Sequence, residues 1–176
     1  PAELVEAEAG GIRLLLLRAP HFFARGGGIY GGPGGDYGDN PERFAALCLA
    51  AASVAERGLP DGWRPQVAHA HDWQGGLLPW YLRDRGGPAK SVLTIHNIAF
   101  QGLAPAEKRH WLGLPPAGFT PQGFEFWGRI SALKAGIVAA DAVTTVSPTY
   151  AAELMRPEFG MGLEGVLQTR AAEFCG

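Results

Sequence analysis

The groups with the most chemistry in this sequence sit in one short run, Val67-Ala68-His69-Ala70-His71-Asp72-Trp73. An apolar stretch ends there in two imidazoles, a carboxylate and an indole. A second run, Ser91-Val92-Leu93-Thr94-Ile95-His96-Asn97, is built the same way. Imidazole, carboxamide and carboxylate offer donors and acceptors at fixed points. With an indole face beside them they suit a polyhydroxylated ring such as a sugar. Two imidazoles and a carboxylate are also a common divalent-metal set. The spacing speaks against a metal: Asp72 follows His71 directly, Trp73 comes next, and no second cluster of metal ligands exists in the sequence. His69, inside its strand, reads as a core imidazole with its hydrogen bonds met. Asp72 has the alternative of capping a helix that begins near Trp73. His71, Asp72 and Trp73, with His96 and Asn97, are therefore the functional candidates, and no metal is expected.

Other reactive side chains read as structural. Cys48 falls on the apolar face of a helix, where a buried, inert thiol is expected. Cys175 has no partner at short spacing, so neither a disulfide framework nor a zinc motif is present. Glu125 lies among Phe124, Phe126 and Trp127 and reads as an exposed loop carboxylate. Lys134, on a helix between apolar positions, is expected to extend its ammonium to solvent. No nucleophile elbow, catalytic triad pattern or phosphate-binding Gly-Lys-Ser/Thr loop occurs.

The elements that would position these groups alternate between strand and helix. Residues 12–18, 67–71, 92–95 and 142–146 read as strands. A helix is expected from Asn40-Pro41-Glu42, with Asn40 as cap and Pro41 in the first turn, ending at Gly58. Gly75-Gly76 is read as a sharp turn into a helix over 77–85, stopped by Gly86-Gly87-Pro88. Ile130, Leu133, Ile137 and Val138 mark another helix. Ser147-Pro148 opens one more, with Ser147 as cap, and a last helix is expected over 162–173. The glycine-dense segment 25–40 reads as a long surface loop. Such alternation predicts an α/β protein with a parallel sheet flanked by helices, and in open sheets of that kind ligands bind beyond the carboxyl ends of the strands.

Length and composition agree. The 176 residues are 47% hydrophobic and 18% charged, with a formal net charge of -2. A folded core is expected, and disorder is not. With no basic stripe, nucleic acid is not an expected partner, and no apolar run reaches membrane-spanning length. Sparse cysteine favours a cytoplasmic setting. The chain begins at Pro1 without an initiator Met, so both ends are expected to be cut from a longer protein.

Several runs together resemble the bacterial glycogen synthases and plant starch synthases. They are His69-Ala70-His71-Asp72-Trp73-Gln74-Gly75-Gly76-Leu77, Thr94-Ile95-His96-Asn97-Ile98-Ala99-Phe100-Gln101-Gly102, Leu133-Lys134-Ala135-Gly136-Ile137, Val146-Ser147-Pro148-Thr149-Tyr150-Ala151 and Gly160-Met161-Gly162-Leu163-Glu164-Gly165. The resemblance implies a Rossmann-like fold forming part of the amino-terminal domain of a two-domain GT-B glycosyltransferase. It implies glucose transfer from ADP-glucose to the non-reducing end of an α-1,4-glucan, with retention and with no metal or other cofactor. It implies Asp72 and His96 as catalytic residues, and His71, Trp73, Asn97, Gln101 and Gly102 as substrate-binding ones. The family's Lys-Thr-Gly-Gly donor loop and its second domain lie outside this sequence, so the chain alone is expected to be inactive. Trp127 and Arg129 stand where some relatives carry Asn and Gln. Two other readings start from the same residues: a non-catalytic glucan-binding module, and a metal-dependent hydrolase using His69, His71 and Asp72.

Overall fold

The computed structural model describes residues 2–176. A hairpin of β1 (Glu3–Ala9) and β2 (Ile12–Arg18) leads to a short helix α1 (Pro20–Phe23) and a two-rung ladder of β3 (Gly31–Gly32) and β4 (Gly35–Asp36). Then follow α2 (Asn40–Arg57), β5 (Val67–His71), α3 (Asp72–Gly75), α4 (Leu77–Arg85) and β6 (Lys90–Ile95). A small antiparallel sheet comes next, made of β7 (Leu103–Pro105), β8 (Glu125–Phe126) and β9 (Arg129–Ser131). The chain closes with α5 (Ala132–Ala139), β10 (Ala142–Thr145), α6 (Pro148–Leu154), α7 (Glu164–Thr169) and β11 (Phe174–Cys175).

The main sheet is parallel and four-stranded, in the order β11-β10-β6-β5. Period-two alternation sends Ala70, Leu93, Ile95 and Val143 to one face, where all are buried. Leu77, Tyr81, Leu133 and Ile137 of α4 and α5 pack there, each nearly sealed from water. Burying a side chain of that size stabilises by roughly 1.5–3 kcal/mol. The opposite face carries Val67, His69 and Val146, all exposed, with Val92 and Thr144 half-buried. The helices thus cover one face, and β5 is the edge strand among the described residues.

That arrangement corrects the expectation for His69. It is exposed rather than in the core, because its face of β5 has no covering layer. Its hydrogen bond is nonetheless met: Nε2 lies 2.7 Å from the Thr94 hydroxyl. Lys134 also departs from expectation. It is 5% exposed, and its ammonium donates to the carbonyls of Pro121 (2.7 Å) and Glu125 (2.5 Å). Burial lowers its pKa, with the Glu125 charge opposing. Asn40 does not cap α2. Its amide donates to the Tyr30 carbonyl at 2.7 Å and its oxygen accepts from Arg43 at 2.6 Å. Arg43, itself buried, also donates to the carbonyls of Phe22 and Ile29. The glycine-dense segment is a surface segment, as expected, and these bonds pin it to α2.

Further boundaries shift. Ile130 belongs to β9, and Ser131 is the side-chain cap of α5, accepting from the Lys134 amide. The last helix is confined to Glu164–Thr169. Ser147 caps α6 as expected, and Cys48 is buried, its thiol pushed up to about 12 by desolvation.

Among the described residues, three that are not glycine hold a left-handed backbone: Asp72 (φ 49°), Trp127 (φ 51°) and Met161 (φ 52°). Trp127 and Gly128, both with positive φ, form the two-residue turn between β8 and β9. Asn-Gly is the relaxed pairing for such a turn. The indole is 84% exposed and recovers little by packing. Replacing Trp127 by Asn should therefore stabilise the fold by about 1 kcal/mol, read as a higher urea midpoint. A lower midpoint would show that indole contacts outweigh the backbone strain.

Candidate functional site

Strands β5 and β6 run parallel with His71 opposite Thr94, so both release their chains at the same edge. Beyond His71 the backbone turns at Asp72 into α3, which passes almost without a break into α4. Gly76 is right-handed helical here, not a sharp turn. Its glycine is required by space: a Cβ would strike the Ala132 carbonyl, and one on Gly136 would meet the Gly76 carbonyl at 2.7 Å.

The left-handed turn at Asp72 aims its carboxylate across to the next strand. Oδ1 accepts from the backbone amides of His96 (2.7 Å) and Asn97 (3.1 Å). The helix-cap alternative for Asp72 is not what is seen, since no side chain caps α3. Asn97 folds its own loop, its Oδ1 accepting from the Ala99 amide at 3.0 Å. The two histidines of the edge meet: His71 Nδ1 lies 3.0 Å from His96 Nε2. His71, His96 and Asn97 are exposed and Asp72 is half-buried. The pKa of His71 is lowered, first by desolvation, then by the neighbouring His69 and His96, with Asp72 opposing.

Trp73 turns away from the histidines into an aromatic cluster. Its ring centroid is 4.7 Å from Phe44, edge-on, and 6.1 Å from Tyr30. Gly102, with φ 61°, packs under the indole, and a Cβ there would lie 2.5 Å from Trp73 Cε3. Gln74 donates to the Tyr30 hydroxyl at 2.6 Å. Gln101 is buried. Its amide donates to the Met161 carbonyl at 3.0 Å, while Oε1 has no partner among the described residues.

The fold thus brings together His71, Asp72, His96 and Asn97 at one open edge. Trp73 borders it, Gly102 backs Trp73, and Gln101 ties the same loop to Met161. Tyr30 is not marked by the sequence, and Phe44 reads there as part of the apolar face of its helix. The signal available was a tyrosine inside a glycine-rich segment, one of two there, and an aromatic on the helix that follows. Among the described residues no group of three or more His, Cys, Asp or Glu is arranged to hold a metal ion. The reason is visible in the geometry: His69 turns to Thr94, His71 to His96, and Asp72 to backbone amides.

Two outcomes are expected of this site. Replacing Asp72 by Ala leaves two amides without their acceptor, at a cost of about 1–3 kcal/mol. Hydrogen exchange should then accelerate at His96 and Asn97, and unchanged protection would contradict the clamp. The second outcome concerns pH. A histidine whose folded pKa lies below its ordinary value of 6.5 favours the neutral form in the fold. The unfolded chain then binds more protons below that value, so stability is full above it and falls as the pH drops through the folded pKa. Thermal midpoints measured across this range should fall on acidification, less steeply in His71→Asn. An equal slope in both would contradict the assignment to His71.

Comparison with known proteins places this geometry in context. A family model described as the starch synthase catalytic domain matches residues 1–169. A glycogen synthase from Paracoccus denitrificans is 62% identical over 178 residues, spanning 100% of this chain and 38% of that protein. One from Cereibacter sphaeroides is 57% identical over 100% of this chain and 37% of its own length. Among solved structures, the catalytic domain of starch synthase IV from Arabidopsis thaliana, bound to ADP and acarbose, aligns with a TM-score of 0.83 and 27% identity. That alignment covers 99% of this chain and 36% of the other. The chain spans a little over a third of the length of these relatives.

Proposed function

Because the chain belongs to the starch synthase catalytic-domain family, we propose that the protein transfers glucose from ADP-glucose to the non-reducing end of an α-1,4-glucan such as glycogen, with retention of configuration. The single observation that carries this reading is the edge itself. One carboxylate locks the His96-Asn97 backbone beside His71, leaving imidazole and carboxamide groups open to a polyhydroxylated ligand. His96 is proposed to contact the transferred glucose and Asp72 to supply negative charge near the developing oxocarbenium-like centre. The second Asp72 oxygen takes no hydrogen bond among the described residues and is the one available for this. Asn97 and His71 line the ligand's path and Trp73 borders it, with Gln101 and Gly102 shaping the loop from behind. No cofactor beyond the nucleotide-sugar donor is invoked.

The chain is read as part of the amino-terminal Rossmann-like domain of a two-domain GT-B enzyme. The cytoplasm, where nucleotide sugars and glycogen meet, is the proposed location. No described helix is long and apolar enough to cross a membrane.

Departure of a diphosphate needs concentrated positive charge close to it, and the edge described above is built of imidazoles, an amide and a carboxylate. The full-length protein should incorporate label from ADP-[14C]glucose into glycogen, while residues 1–176 alone should not. Absence of incorporation by the full-length protein overturns the proposed activity. Incorporation by the chain alone overturns the view that it holds only half of a cleft.

A further inference from the structure

We propose that His71 is a positioning residue for His96, holding its ring in one tautomer through a direct nitrogen-to-nitrogen hydrogen bond. This rests on reading His96 as a group that touches the sugar.

The contact is anchored at both ends. Asp72 directly follows His71 and clamps the His96 amide, so the two backbones are tied together before their rings meet. The rings lie 5.2 Å apart, with Nδ1 of His71 at 3.0 Å from Nε2 of His96. On its other side His71 is packed by His69, ring centroids 4.4 Å apart and inclined by 33°. His69 is itself held by the Thr94 hydroxyl, which lies 2.7 Å from that of Thr144. A line of restraint therefore crosses three strands and ends at His96. An exposed histidine held only by solvent has no such line.

The proton count follows from the chemistry of imidazole. A neutral ring has one N–H and one bare nitrogen. For the two facing nitrogens to bond, one must carry hydrogen and the other must not. Either arrangement fixes which nitrogen of His96 carries its proton. One added proton gives an imidazolium bonded to an imidazole and keeps the contact. A second sets N–H against N–H and breaks it. The charged or titratable groups around the pair are His69 and Asp72 from the β5 side. From β6 there is the neutral hydroxyl of Thr94. Asp72 is the one anion among these, and its Oδ1 is committed to the backbone. A reduced proton affinity at His71 accords with this setting. The consequence is local and useful: Nδ1 of His96, not engaged by His71, presents a fixed donor or acceptor to a ligand hydroxyl.

The substitution series is chosen for geometry. The side-chain amide of Asn places an oxygen or nitrogen where the Nδ1 of histidine stands, so His71→Asn can keep the bond to His96. His71→Leu cannot. In full-length protein labelled with 15N-histidine, long-range 1H–15N spectra should show His96 in one tautomer, retained in His71→Asn and averaged in His71→Leu. His71→Leu should lose kcat by about tenfold or more through misplacement of His96, a larger change than in KM for ADP-glucose. His71→Asn should recover most of kcat. The proposal is overturned if wild-type His96 already averages its tautomers. It is equally overturned if His71→Leu keeps full kcat, or if His71→Asn falls as far as His71→Leu at unchanged melting temperature. Should the wild-type protein transfer no glucose, the glucosyl-transfer reading fails, and the spectra alone decide the role of His71.

Discussion

The whole edge depends on one carboxylate oxygen. Oδ1 of Asp72 accepts two successive backbone amides, those of His96 and Asn97, from the neighbouring strand end. Charge-assisted bonds of this kind are stronger than neutral ones, and here they join two chain segments that would otherwise leave the sheet independently. Reaching across demands a left-handed backbone at position 72. Asp and Asn are among the few side chains that tolerate it. The residue that could serve a reaction is thus also the residue that builds the place where it happens. A Glu, one methylene longer, would have to bury or bend that extra length to present the same oxygen to the same amides.

Around this joint the fold uses cations to finish backbone that helices and loops leave open. Arg170 donates to the carbonyls of Ile137, Val138 and Ala140 at the end of α5, where the helix dipole favours positive charge. Lys134 does the same for the loop leading into β8, and Arg43 for the glycine-rich segment. Each is a long side chain reaching carbonyls distant in sequence. These contacts hold loops that have few apolar side chains of their own. Tyr30, next to the Ile29 carbonyl that Arg43 holds, can then meet Trp73.

How much of this was legible in the sequence depends on the range of the interaction. Strands β5, β6 and β10 were visible from their apolar runs. Ser147 was visible as a cap because its partner, the Tyr150 amide, is three residues away. The parity of His69 and His71 was correctly read, but burial was not, because parity says nothing of whether a face is covered. Strand β1 escaped notice: Glu3, Glu6 and Glu8 interrupt its apolar signal, and it is held by register with β2. Lys134 was misjudged because its acceptors, at positions 121 and 125, are backbone carbonyls that no side-chain pattern announces. At the site, the residue types were legible and their convergence was implied by two strand ends. The Asp72 bridge and the contact between two imidazoles were not, because both are made across strands.

The bare face of the sheet has a thermodynamic consequence. Parallel sheets ordinarily have both faces covered, and here the uncovered one displays Val67, His69, His71 and Val146. Any layer laid on it removes water from the His71 imidazole as well as from apolar side chains. Desolvation disfavours the charged form of His71, so the cover and the proton compete for the same surface. By reciprocity, acidification must loosen that layer to the same degree that the layer suppresses protonation. Proton affinity at this edge and attachment of such a layer are two readings of one coupling free energy.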